Sequence, residues 1–248
     1  VRELETIASR HRRVFVLFWA TAESDPARLI ETWLDQHSFK AMDAWRGNVR
    51  FVMYVMPAQE SLVARAVQVK FGRLGQILLR QVALPTGAIR AGEVLQVALR
   101  WQAVVPVSQR YKVSLQLLSD DDRVIAQHDS EPVGGSRPAT DWLVGEEVDD
   151  LHGLLIPPGT PPLDYHLLVV LYDSNTGERL LLEEGANALE IGGVRVERPA
   201  TTLPLDALQM MHRRLVEWGD VRLLGYDLYR RGFAHAPETP LHPGDWLH

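Results

Sequence analysis

Period-two alternation constrains this chain more than any other feature. Leu95, Val97, Leu99 and Trp101 share one side of an extended segment, with Gln96, Ala98, Arg100 and Gln102 on the other. Successive side chains of a strand point to opposite faces, so the pattern describes a strand with one face in a core. Tyr111, Val113, Leu115 and Leu117 repeat it, as do Tyr165, Leu167, Val169 and Leu171. Turn formers separate the runs. Asp120-Asp121-Asp122 leads into Arg123–His128, Pro157–Pro162 breaks the chain, and Asp173–Gly177 ends the third run. Short alternating strands between Gly, Pro and Asp turns are the grammar of an antiparallel sandwich. The expectation is an immunoglobulin-like β-sandwich over residues 63–198, with those apolar positions inside. Glu178–Leu182 is expected to return as a hairpin arm.

The segment before it is written differently. Arg13–Trp19 is a short continuous apolar run, as in a strand buried on both faces. Asp25 can cap a helix whose first residue is Pro26. Pro26, Leu29, Ile30, Trp33, Leu34 and His37 then recur at helical spacing. Asn48–Met56 is a second apolar run, stopped by Pro57. Two such strands joined by a helix predict a parallel β-α-β crossover over residues 1–59. The fold class expected for the whole is therefore α+β, mainly β.

The tail echoes the sandwich. Val69-Lys70-Phe71-Gly72 resembles Val216-Glu217-Trp218-Gly219, and Leu74-Gly75 recurs as Leu224-Gly225. Ile89–Gln96 resembles Leu241–His248. Residues 209–248 are expected to be the truncated start of a second sandwich, with 221–229 extended and added to a sheet edge. That edge would belong to the same chain or, through self-association, to a neighbour's. A second coverage is expected on the strand Tyr165–Tyr172. Its outer face carries His166, Leu168, Val170 and Tyr172, too apolar for water, so the helical segment or the tail should lie over it.

Hydrophobic residues make up 46% and charged residues 23%, which excludes a disordered chain. Net charge is −6 without a Lys/Arg block, so the footprint of a nucleic-acid binder is missing. The longest apolar runs are too short to cross a bilayer as helices. The chain begins at Val1 rather than Met and is expected to be a piece of a longer protein. Cysteine is absent, which removes disulfides and thiolate metal sites.

Several segments resemble a known pattern. They are Ala91-Gly92-Glu93, Leu99–Ala103, Tyr111-Lys112-Val113, Leu117–Asp120, Ala126–Ser130, Trp142–Glu146, Tyr172-Asp173 and Thr176–Leu180. Together they resemble the C-terminal β-sandwich modules of bacterial membrane proteins of the dolichyl-phosphate-mannose-protein mannosyltransferase-like glycosyltransferase type. In that family a multi-helix membrane domain is followed by a small α/β segment, which Val14–Pro57 resembles, and then by such modules. The resemblance implies an extracytoplasmic location in a membrane-anchored bacterial protein, with the attached membrane domain as partner. The family's acidic catalytic residue lies in the membrane domain and has no counterpart here, so no catalytic residue carries over.

Candidate sites are few. Trp142, beside Asp141 in the loop Ala139–Gly145, is out of phase with any strand; it is either a loop anchor plugging the sandwich or a platform for a sugar. Asp120, Asp121 and Asp122 invite a metal, but the spaced Asp pattern of a calcium loop is missing, and a hairpin tip explains them. Glu146, Glu147, Asp149 and Asp150 read as a solvated acidic edge. His128-Asp129 with Ser136 lacks a nucleophile elbow. The nine histidines show no zinc spacing, and Phe71–Gly75 has glycines without a phosphate-loop lysine. No cofactor is expected. The expected function is a non-catalytic accessory or interaction module, in contact with a glycan or a cell-envelope protein. A carbohydrate-binding module using Trp142 is the alternative, and a free-standing hydrolase acting through loop carboxylates is the third reading.

Overall fold

The computed structural model describes residues 2–57, 62–202, 204–208, 210–227, 229–230 and 233–234. Its N-terminal part runs α1 (Arg2–Arg10), β1 (Arg13–Phe18), α2 (Thr21–Ser24), α3 (Leu29–His37), β2 (Phe39–Arg46) and β3 (Val49–Val55). The capping expected of Asp25 is present, but α3 starts later than Pro26. The Asp25 carboxylate accepts the Leu29 and Ile30 N–H groups at 2.8 and 3.0 Å, after Arg28 has turned through a left-handed φ of 51°. Free N–H groups of a first helical turn need such an acceptor.

The predicted parallel pairing of the two apolar runs is corrected. β1 pairs antiparallel with β3, from Arg13 opposite Val55 to Phe18 opposite Arg50. β2, unforeseen because Lys40, Asp43 and Arg46 interrupt its apolar residues, pairs antiparallel with the other side of β3. β1 and β2 therefore run the same way across the α3 crossover, with β3 inserted between them. Gly47, at φ 60°, makes the β2–β3 turn.

The helix face is also corrected. Leu29 and Ile30 are exposed, whereas Glu31, Leu34 and Asp35 are buried.

The rest of the chain adds β4 (Val63–Phe71), β5 (Ile77–Leu84), β6 (Ile89–Arg90), β7 (Val94–Ala103), β8 (Tyr111–Leu118), β9 (Val124–Ser130), β10 (Glu147–Leu155), β11 (Asp164–Asp173) and β12 (Leu189–Glu197). A seven-stranded sheet has the order β1-β3-β2-β10-β7-β5-β4, and a five-stranded sheet the order β6-β12-β11-β8-β9. The fold is thus α+β and mainly β, with two sheets facing each other. All the expected inward positions, from Leu95 and Trp101 through Leu115 and Leu117 to Leu171, are buried in one apolar cluster between the sheets. β1, β3 and β2 do not stand apart from the sandwich; they extend its larger sheet, joined where Lys40 of β2 pairs parallel with His152 of β10. Half of that sheet's inner face meets the second sheet. The other half meets α1 and α3, where Phe18, Leu34, Val52, Tyr54 and Met56 form a separate cluster.

Two more expectations change. Glu178–Leu182 forms only isolated bridges, Tyr172 to Arg179 and Phe71 to Leu182, and β12 is the strand that pairs with β11. On the outer face of β11, Leu168 is half-buried and Val170 is buried, while His166 is exposed. The N-terminal layer does not supply that cover, since its strands extend the opposite sheet.

The tail forms a hairpin of β13 (His212–Trp218) and β14 (Val221–Tyr226), then β15 (Tyr229–Arg230) and β16 (Phe233–Ala234). β13 and β14 pair with each other and join neither large sheet, so the expected addition of 221–229 to an edge is not seen in this chain among the described residues. Trp218 and Gly219 end β13 as Phe71 and Gly72 end β4, each glycine at positive φ. Phe71 is fully buried, whereas Trp218 is 61% exposed. The third echo, 241–248, lies outside the described residues. A hairpin that shares no ladder with the sandwich adds little to its cooperativity. Deleting residues 209–248 should therefore shift the sandwich's thermal midpoint by no more than about 3 °C. Differential scanning calorimetry checks this, and loss of the cooperative transition would show the tail to be integral.

Candidate functional site

Ionisable residues gather where the helical layer gives way to the second sheet. β10 places Val148, Asp150, His152 and Leu154 on its inner face, and all four are buried. An unpaired carboxylate there would cost several kcal/mol, roughly, so its partners matter. Asp150 Oδ1 accepts the Val133 N–H at 2.7 Å. Asp150 Oδ2 accepts the Trp101 indole N–H at 3.0 Å and lies 2.7 Å from His152 Nε2. The other nitrogen of His152, Nδ1, stands 3.4 Å from the Ser130 hydroxyl.

The helix contributes the second half. Asp35, fully buried, lies 2.7 Å from Lys40 Nζ and accepts the Tyr54 hydroxyl at 2.9 Å. Lys40 Nζ also donates to the Gly134 carbonyl at 2.8 Å. Glu31 is held by Arg28 and Arg50 at 2.9 and 2.6 Å. The turn Val133–Gly135 thus binds both halves, its N–H on Asp150 and its carbonyl on Lys40. Gly134 is required there. It has φ 61°, and a Cβ would lie 2.4 Å from Asp35 Oδ1 and 2.8 Å from Lys40 Nζ. Val133 itself sits at φ 52°, a strained conformation for a β-branched residue that the Asp150 bond holds in place.

Burial governs the titration of this seam. It pushes Asp35 up to about 6, against the pull of Lys40. At Glu31, burial is outweighed by Arg28, Arg50 and Lys40, and the carboxyl titrates below its usual range. Burial, with His152 and Lys40 nearby, pushes His128 down to about 3. His128 packs edge-on against His152 at 5.9 Å, and neither of its ring nitrogens has a hydrogen-bond partner among the described residues.

Ser130, His152 and Asp150 have the residue types of a nucleophilic triad but not its construction. A triad's serine must face a substrate, and its aspartate orients the histidine alone. Here the imidazole and carboxylate are fully buried, and Asp150 is already engaged by Trp101 and Val133. The arrangement joins layers instead. A cleft of about 1030 Å³ lies elsewhere, between the Pro158–Pro162 turn, residues 198–202 and the tail hairpin.

The residues singled out from sequence fall in other places. Trp142 is 5% exposed, belongs to the sandwich core and donates its indole N–H to the Arg137 carbonyl at 3.0 Å. The ring is packed into the core from its loop, with little of its surface open to a ligand. Asp141 is exposed and accepts only the neighbouring Thr140 hydroxyl among side chains described. Asp120, Asp121 and Asp122 are exposed at the β8–β9 turn. Asp120 lies 3.2 Å from His166 Nε2, and Asp121 accepts the Ser119 hydroxyl. Among the described residues no group of three or more His, Asp or Glu side chains is placed to hold a metal. Of the acidic edge, Glu146, Glu147 and Asp149 face solvent and pair with Arg137 or Arg100, whereas Asp150 turns inward. His128 points into the seam, while Asp129 points out and Ser136 bonds the Val133 carbonyl, so those three never meet.

No protein-family model matches the chain, and a search of curated proteins gives no match.

Two outcomes follow from the seam. Asp150→Asn would set an NH₂ group against N–H donors and should cost about 2–4 kcal/mol in urea unfolding, whereas exposed Asp149→Asn should cost less than about 1. His128 has a folded value below its ordinary 6.5, so its contribution is complete above pH 6.5 and is lost as pH falls towards 3. Asp35, raised, works the other way between 3.8 and about 6. The two slopes oppose each other between about pH 6 and 4, so the net dependence there should be small, and His128→Leu should tilt it towards greater stability on acidification by up to about 1.4 kcal/mol per pH unit. Urea titrations at stepped pH measure it; an unchanged slope in the variant contradicts this role for His128.

Proposed function

We propose that the chain is a non-catalytic accessory module of a membrane glycosyltransferase-like protein, carried outside the membrane beside an attached membrane domain. The observation that supports this best is how the buried polar groups are used. Asp35 bonds Lys40 and Tyr54, Asp150 bonds His152 and Trp101, and Lys40 and Asp150 both bond the 133–135 turn, which ties the helical layer and the sandwich into one body. Groups spent on holding layers together are not free to do chemistry at an open surface. Asp149, Glu131 and Glu146 pair with arginines, and Asp120, Asp121 and Asp141 lie in turns. The immunoglobulin-like character of the sandwich belongs to the same proposal. A carbohydrate-binding role would need aromatic faces other than Trp142.

Two measurements test the reading. The purified chain should show no turnover above blank in a panel of glycosides, esters and lipid-linked sugar donors; turnover abolished by changing one carboxylate would overturn it. In the parent protein expressed in intact bacterial cells, Asp122→Cys should react with a membrane-impermeant maleimide. Labelling only after cell lysis would place the module inside and remove the extracytoplasmic part of the proposal.

A further inference from the structure

Sheet edges attract other strands, and folded proteins blunt them with bulges, charges, prolines or short length. Three of the four edges of the two large sheets are blunted. β4 carries a bulge between Ala66 and Val69, with Gln68 at φ 60° and Arg65 and Lys70 on either side. β6 is two residues long. β9 exposes Gln127 and Asp129. The fourth edge, β1, has no bulge in its pairing with β3 and neither charge nor proline from Val14 to Phe18.

The direction of its free groups follows from one bond. Met56 N–H donates to the Arg12 carbonyl, so Arg12 and Met56 form a hydrogen-bonded antiparallel pair. Such pairs alternate along a ladder. Val14, Val16 and Phe18 then bond β3, while the N–H and C=O groups of Arg13, Phe15 and Leu17 point away from the sheet. The side chains of Phe15 and Leu17 are 57% and 68% exposed, and Trp19 just beyond is 64% exposed. Phe15 stacks on Phe51 at 5.7 Å, so the strip continues onto β3.

We propose that a second copy of this chain pairs antiparallel with β1 about a two-fold axis at Val16, fusing the two seven-stranded sheets. The edge is complementary to itself in that register. The outward groups of Phe15 meet those of Leu17 in the partner copy and the reverse, two hydrogen-bonded apolar pairs. Arg13, whose guanidinium donates to the Gly92 carbonyl of its own chain at 3.2 Å, comes opposite Trp19 just beyond the end of the other copy's strand. Val14 to Phe18 pair strand to strand across the axis, and an isologous contact of this kind closes at two copies. A register centred on Phe15 carries the exposed Trp19 past the start of the other copy's strand, and one centred on Leu17 carries Arg13 and Val14 past its end.

Sedimentation velocity on the 28.0 kDa chain should show a reversible monomer–dimer equilibrium. Leu17→Pro removes an outward N–H and no bond to β3, so it should weaken the dimer about tenfold or more. Leu17→Lys, at an exposed position, should weaken it similarly with the far-UV spectrum and thermal midpoint unchanged. Val16→Cys gives a positive readout, because the chain has no cysteine of its own. Directly opposed residues of a non-hydrogen-bonded pair have Cα atoms about 4.5 Å apart, within disulfide range. Mild oxidation should therefore link the variant into a covalent dimer. A wild-type chain that stays monomeric to several hundred micromolar would overturn the proposal and leave the edge to a strand of another protein. So would a dimer unaffected by both Leu17 variants, or a dimer in which Val16→Cys stays reduced.

Discussion

One carboxylate is the hinge of the architecture. Asp150 lies at the line where one sheet changes partner, from helices on one half of its inner face to a second sheet on the other. A helix surface and a sheet surface have different contours, and a gap between them on a shared floor must be filled. This chain fills it with the 133–135 turn. Asp150 grips the turn's N–H and Lys40 grips its carbonyl. The indole of Trp101, at the heart of the sandwich, bonds the same carboxylate and so couples the apolar core to the seam. Each group alone would be costly to bury, and the bonds between them are what make the junction tolerable.

The same economy bears on function. A surface that performs chemistry keeps polar groups poised and unspent at an opening. Here the polar groups with the most perturbed environments are sealed inside, and several outward-facing ones, such as Asp149, Glu146 and Asp164, sit in salt bridges with arginines. What the exterior offers is apolar area on the N-terminal layer and a sandwich with loops at both ends.

Much of the sandwich was legible because its strands obey a rule that needs no knowledge of neighbours: alternate residues are inside. The apolar positions Leu95 through Trp101, and their counterparts in β8 and β11, are all inside, with Gln96, Ser114, Gln116 and Val170 of the opposite phase covered as well. The N-terminal layer was misread where that self-sufficiency fails. The apolar face of α3 suggested Leu29 and Ile30 as inward, yet the helix turns Glu31 and Asp35 down, because what lies beneath them is Lys40, Arg50 and Tyr54 rather than an oily surface. β2 was missed for the same reason, since its lysine is buried. The seam joins residues from α3, β2, β9 and β10, far apart in the chain, and no local pattern binds them. One signal was available. Asp150 and His152 occupy the inward phase of Val148 and Leu154, and ionisable residues in an apolar register mark a buried polar network. Trp142 was readable as an anchor from its loop, although only packing could show how much of its ring is covered.

The union of the N-terminal strands with the sandwich rests on a narrow ladder. β2 meets β10 through one paired position, Lys40 against His152, whereas β10 and β7 share nine, from Glu147 opposite Gln102 to Leu155 opposite Val94. Read as a mechanical joint, it has little main-chain resistance to twisting or shear about its own axis. Its stiffness comes from side chains, above all the charged pair and the turn they clamp. A pull transmitted from one end of the chain would load that clamp before it loaded any strand pair. The first thing to yield under force would then be the angle between the two halves, with both still folded.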